Sequence, residues 1–123
     1  MEIFLVGGYI MPNIRKEPMK KYGVNPNRFM ELYYFCLQYN DWKEELQSIT
    51  DIDKKKELQK KCELVERTAI EADENLYSYI LCAVTNKGVT YRHLQTVYNI
   101  PCSKDMYYNR RKKFYSLLSL KRK

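Results

Sequence analysis

The amino-acid sequence predicts a small all-α domain that closes with a C-terminal helix-turn-helix. From residue 25 onward the apolar residues recur at spacings of three and four, the period of helices that bury one face. Each stretch also opens on a side chain able to cap a helix N-terminus: Asn25, Asp51, Asp73, Thr90 and Ser103. Near the C-terminus two such stretches are separated only by Asn99-Ile100-Pro101-Cys102. Proline cannot continue a helix, because its ring clashes with the preceding turn and its N–H is missing.

The chain divides into an N-terminal arm or leader (1–24), a helical scaffold with a possible dimerisation face (25–85), and the helix-turn-helix with a basic tail (86–123). Residues 1–9 are apolar and interrupted by Gly7-Gly8, which suits an edge strand or an arm that packs on a partner subunit. They lack the basic start, long apolar stretch and small-residue cleavage site of a signal peptide. Met11 and Met19 are alternative starts, so residues 1–18 are also readable as a leader, and Pro12 and Pro18 bracket a loop without period.

The first helix is expected over 26–48, with Asn25 as cap and Pro26 in the first turn. Phe29, Leu32, Tyr33, Cys36, Leu37 and Tyr39 form its apolar face. Asn40-Asp41 breaks or kinks it, and Asp41 with Glu44 resembles a capping box for a continuation through Trp42, Leu46 and Ile49. So many aromatics would suit base stacking, but at this spacing they read as core fillers. A second helix, 51–72, carries a narrow stripe of Leu58, Cys62, Val65, Ala69 and Ala72, with Leu64 and Ile70 broadening it. Its other face is charged, so the stripe fits either an antiparallel helix pair or a dimer seam. A third helix, 74–85, ends at Asn86-Lys87-Gly88, where glycine supplies a left-handed residue.

The last two helices, 90–98 and 103–119, should cross at a steep angle. Tyr91, Leu94, Val97 and Tyr98 line the first; the second turns Tyr107, Phe114, Leu117 and Leu118 to one face and Lys104, Tyr108, Asn109 and Lys112 to another. Leu94, Val97, Ile100, Met106 and Phe114 are expected to form the small core joining them.

Charge points in the same direction. The net charge is +7, yet residues 1–100 hold 14 basic and 14 acidic side chains. The last 23 residues hold eight basic ones against Asp105 alone, so the whole excess lies there. A concentrated basic segment releases counterions from a polyanion and binds it in a salt-dependent way. The alternative is a solvated basic tail that aids solubility. Hydrophobic content of 45% excludes a disordered chain, and no apolar run is long enough to cross a membrane as a helix. Cys36, Cys62, Cys82 and Cys102 lack zinc-ligand spacing and read as reduced, mostly buried thiols of a cytoplasmic protein. No metal or cofactor is expected.

The segment 89–118 resembles the helix-turn-helix of sigma-factor region 4 and of small phage regulators. The likeness rests on Thr90, Leu94, Ile100, Ser103 and the run Asn109-Arg110-Arg111-Lys112-Lys113-Phe114. The whole chain, from Tyr33-Tyr34-Phe35 through Trp42 to Tyr107-Tyr108-Asn109, is similar to small prophage proteins of low-GC Gram-positive bacteria grouped loosely with the ArpU/RinA-type late-transcription regulators. It departs from the pattern in having Asn99 for the turn glycine, Gln95 for an alanine, and a turn one residue longer, which should send Met106 rather than Asp105 inward.

The expected function is that of a phage-type regulator reading double-stranded DNA with helix 103–119. Lys104, Tyr108, Asn109 and Lys112 would face the major groove, while Arg92, Arg110, Arg111 and Lys113 would contact phosphates or close the edge of the motif. The tail Lys121-Arg122-Lys123 would follow the backbone. A homodimer is expected, because paired half-sites remedy the short reach of one helix; RNA polymerase or another host protein is a further partner. The competing reading is a small phage-encoded inhibitor of anti-defence type that occupies a host protein's nucleic-acid site. No phosphate-cradling glycine loop, GxSxG or HExxH occurs, so an enzyme is not expected. His93, the sole histidine, reads as an exposed polar residue or phosphate contact, and Asp105 as a favourable charge at a helix N-terminus.

Overall fold

Among the described residues, four of the six helices in the computed structural model begin where a short polar side chain takes up backbone N–H groups that the first turn leaves unpaired. The structure describes strand residues 3–6 and 9–12 and, with side chains, residues 24–122. Strands β1 (Ile3–Val6) and β2 (Tyr9–Pro12) pair antiparallel, with Ile3 opposite Pro12 and Val6 opposite Tyr9. The loop expected between Pro12 and Pro18 lies outside the described residues, apart from Pro12 itself. Among the described residues all remaining regular structure is helical, as the apolar periods require.

Helix α1 (Pro26–Leu37) starts at Asn25, whose Oδ1 accepts from the Arg28 N–H at 2.9 Å, with Pro26 in the first turn. Its aromatics go inward: Phe29, Tyr33 and Phe35 are buried, as are Tyr39 and Trp42 on α2 (Tyr39–Leu46). The expected break at Asn40-Asp41 lies instead at Gln38. The reason is tertiary. Asn40 Nδ2 donates to the Thr85 carbonyl and to Asn86 Oδ1, both at 3.1 Å, and so satisfies the end of α4 (Tyr77–Thr85) rather than interrupting its own helix.

Helix α3 (Ile52–Ala72) is capped by Asp51, which accepts from Asp53 and Lys54 N–H. Its stripe is buried at Leu58, Cys62, Val65, Ala69 and Ala72, while Ile70 stays exposed. The stripe packs within the protomer, against α2, α4 and the C-terminal helix α6 (Lys104–Lys121). It is therefore occupied and is not the dimer seam that a narrow apolar stripe suggested. The partner it needed is supplied by three helices of its own chain.

Asp73 caps a turn at 74–76, taking the N–H groups of Asn75 and Leu76 at 2.8 and 3.0 Å, and α4 follows from Tyr77. Gly88, at φ 79°, then turns the chain into α5 (Tyr91–Tyr98), which Thr90 caps by accepting from the His93 N–H. Asn99 adopts the left-handed conformation, φ 53° and ψ 50°, which asparagine tolerates better than most side chains. Its N–H and that of Ile100 both turn back to the Leu94 carbonyl, and Ser103 accepts from Met106 N–H to start α6.

This turn decides which apolar residues go inside. Leu94, Ile100 and Phe114 are buried as expected, but Val97 is 59% and Met106 41% exposed. The reversal at Asn99 drives Ile100 inward and leaves Val97 on the open side of a helix only two turns long. On α6 the inward row is Tyr107, Arg111, Phe114 and Leu118, spaced four, three and four, with Tyr115 beside it. Met106 precedes that row by one residue, about 100° around the helix, so Tyr107 takes the place expected of it.

The core of the motif can be tested by unfolding. Leu94→Ala should cost about 2–5 kcal/mol, the range for a fully buried leucine, whereas Val97→Ala should change stability by less than about 0.5 kcal/mol. Urea titration of both variants checks the pair.

Candidate nucleic-acid interface

Helix α6 was the expected recognition helix, and its surroundings determine what it can present. Its main neighbours are α3, α1 and α4. Tyr107, Phe114 and Leu118 are fully buried, and Tyr115 meets Phe29 edge-on at 4.8 Å. The C-terminal end is clamped by Arg28, whose guanidinium donates to the Ser119 hydroxyl at 3.2 Å, the Ser119 carbonyl at 3.1 Å and the Arg122 carbonyl. A cation at a helix C-terminus both pairs its last carbonyls and opposes the negative end of the dipole.

Four of the basic residues on this helix and just beyond it are turned inward, paired or stacked. Arg111, expected at a phosphate, is only 7% exposed. Its guanidinium lies 5.1 Å over the Tyr108 ring, and its positive charge opposes the burial that raises the Tyr107, Tyr115 and Tyr33 hydroxyls. Burial pushes the Tyr107 hydroxyl up to about 12, with the Arg111 charge opposing the rise. Arg111 is a core residue, placed there because it falls on the inward row of α6. Arg110 donates from Nε to Asp73 Oδ2 at 3.0 Å and ties α6 to the α3–α4 connection, so it too is withdrawn from a phosphate role. Tyr108, expected in the groove, is half-buried with its ring edge-on to Tyr107 at 5.0 Å. In the tail, Lys121 pairs with Glu71 and Arg122 lies 4.0 Å over the Phe35 ring, so neither is free to track a backbone. Lys123 lies outside the described residues.

The rest of the expected surface is outward. Lys104, Asn109 and Lys113 are exposed on α6, Lys112 is half-buried, and Arg92 is exposed on α5. Arg92, Lys104 and Lys113 form no ion pair among the described residues. The Tyr91 hydroxyl donates to the Cys102 carbonyl at 2.6 Å, which folds the turn back onto the start of α5 and brings Lys104 to the same end of the motif as Arg92. His93 is exposed, with its ring 5.7 Å from that of Tyr98.

Asp73, Tyr91 and Arg28 are the residues that position this surface, and reading the sequence alone assigned none of them that role. Asp73 read as a cap, and it is one, but its second oxygen holds Arg110 across 37 positions of sequence. Among the described residues no three His, Cys, Asp or Glu side chains gather where they could hold a metal ion, and no helix is long and apolar enough to cross a membrane.

Two outcomes follow from the buried end of α6. Arg111→Ala should destabilise the fold by about 1–3 kcal/mol, since it empties a buried position and removes the guanidinium stacked on the Tyr108 ring, and Arg111→Lys should recover only part of this, because an ammonium cannot reproduce a planar guanidinium stacked on a ring. Chemical denaturation of both checks it. For Asp73, burial raises the pKa, but the Asn75 N–H, Arg110 and the Leu76 N–H together outweigh it and hold the carboxyl below its ordinary 3.8. A depressed acid stabilises the fold fully above its unfolded value and loses that contribution as pH falls through the folded one. The stability difference between wild type and Asp73→Asn should therefore be constant near neutrality and shrink below pH 3.8, as acid titrations at fixed urea would register.

Comparison with protein-family models, with curated proteins and with solved structures finds no match to this chain.

Proposed function

We propose that this protein binds DNA through the outward side of its α5–α6 corner and acts as a regulator of the phage type. The observation that carries the reading is the set Arg92, Lys104 and Lys113, exposed and without ion pairs among the described residues, on two helices joined by a tight turn. Lys104 stands at the first position of α6, and in helix-turn-helix docking it is the N-terminal part of the second helix that meets base edges. Asn109 and Lys113 follow, both exposed and one turn apart from each other, about 140° and 180° around the helix from Lys104. Asparagine can bond adenine with two prongs, lysine can donate to guanine or to a phosphate, and Arg92 is suited to the backbone. Such a protein works in the cytoplasm, where reduced thiols are the ordinary state of cysteine.

The inhibitor reading, a protein that blocks the nucleic-acid site of a host factor, is favoured by one observation. With Arg111 buried, Arg110 paired and Tyr108 half-buried, few side chains on α6 are left to read bases.

A binding titration on cognate and scrambled duplexes at several salt concentrations separates the two. Asn109→Ala should lose sequence preference by about 1–3 kcal/mol. Lys113→Ala should weaken all duplexes alike and reduce the salt slope by about one. Undetectable duplex binding by the wild type at low salt would overturn the regulator reading in favour of the inhibitor.

A further inference from the structure

Helix α5 is an unusual surface element. Of its eight residues only Leu94 is buried, and the end of the helix leaves Val97 59% and Tyr98 51% exposed. The Tyr98 ring is propped edge-on by His93, at 5.7 Å and 67°. A supported aromatic ring in solvent stands at one end of a short helix whose other end carries Arg92, which has no ion pair among the described residues. The only acid in the last 23 residues is Asp105.

Duplex DNA does not use such a face. Its bases are stacked on one another, so they present edges in the grooves and phosphates along the rim. An unpaired base presents its π-face, and stacking on an aromatic side chain tolerates any base identity. Tyr98 lies six positions after Arg92, about 9 Å along the helix and about 120° around its axis, a separation that one or two nucleotides of extended backbone can wrap. A base on Tyr98 thus leaves its strand within reach of the cations at the other end of α5.

Resting on the DNA-binding reading above, we infer that the α5 corner takes unpaired bases, with Tyr98 as the stacking platform and Arg92 and Lys104 as the backbone contacts, so that the preferred ligand is nucleic acid with a single-stranded segment. The charge complementarity is with a polyanion; an acidic protein surface is the competing occupant, and the test includes it.

The test is fluorescence anisotropy of the full chain with a labelled short oligothymidylate, a blunt duplex and the same duplex with an oligothymidylate tail, each at fixed moderate salt. The wild type should bind the tailed duplex more tightly than the blunt one. Tyr98→Ala should weaken the oligothymidylate and the tailed duplex about tenfold, the scale of one lost stacking contact, and the blunt duplex far less, while Tyr98→Phe should retain the affinity. Tyr98 is exposed, so circular dichroism and thermal midpoint should stay those of the wild type. Equal affinity for blunt and tailed duplexes, or Tyr98→Ala binding oligothymidylate as the wild type does, would overturn this inference and leave duplex binding standing. Displacement by polyglutamate as effective as by unlabelled oligothymidylate would overturn it in favour of an acidic protein partner. Failure of the wild type to bind any of the three nucleic acids would remove the DNA-binding reading itself.

Discussion

Burial of α6 is the constraint on which the other helices depend. Tyr107, Phe114 and Leu118 are inaccessible to solvent, and each large apolar side chain so removed from water contributes about 1.5–3 kcal/mol. α3 supplies the principal wall, with α1 and α4 against other sides. The clamp of Arg28 on the last carbonyls, the Lys121–Glu71 pair and the Arg110–Asp73 pair then hold both ends of α6 to the scaffold. A helix held in this way cannot also be a free-standing probe. It exposes one side, and the orientation of that side is set by the core.

The same burial redistributes the charge. Eight basic residues crowd the last 23 positions, but Arg111 lies among tyrosines, Arg110 and Lys121 are neutralised by scaffold acids, and Arg122 covers Phe35. Among the described residues, the exposed cations without ion pairs in this region are Lys104 at the start of α6, Lys113 midway along it and, from α5, Arg92. An electrostatic footprint is made by the cations that face solvent and lack acids nearby, not by the number in a segment. Arg111 illustrates the chemical reason that an arginine can go inside. Its planar, weakly hydrated guanidinium stacks on the Tyr108 ring, which a strongly hydrated lysine ammonium could not do as cheaply.

α5 shows the opposite balance. It is anchored by Leu94, by the half-buried Tyr91 with its bond to the Cys102 carbonyl, and by Ile100 just beyond its end. Little else of it is covered. An element held by few contacts and exposing Val97 and Tyr98 is the part of this fold most available to a partner.

The all-α class and the order of helices after residue 25 were legible in the sequence, because periods of three and four and the caps Asn25, Asp51, Thr90 and Ser103 act over distances of a few residues. Gly7-Gly8 between two apolar runs was likewise a hairpin signal, although the segment read only as one edge strand or an arm. The exposed Lys104, Asn109 and Lys113 were also legible, since they fall off the apolar row of α6. Which basic residues would be withdrawn was not. Arg110 is held by an acid 37 positions away, Arg111 is buried on a helix packed against α1, α3 and α4, and α3's stripe is covered by three helices rather than a second chain. Those choices depend on which surfaces meet once the helices pack, and local periodicity carries no information about contacts between residues far apart in the chain.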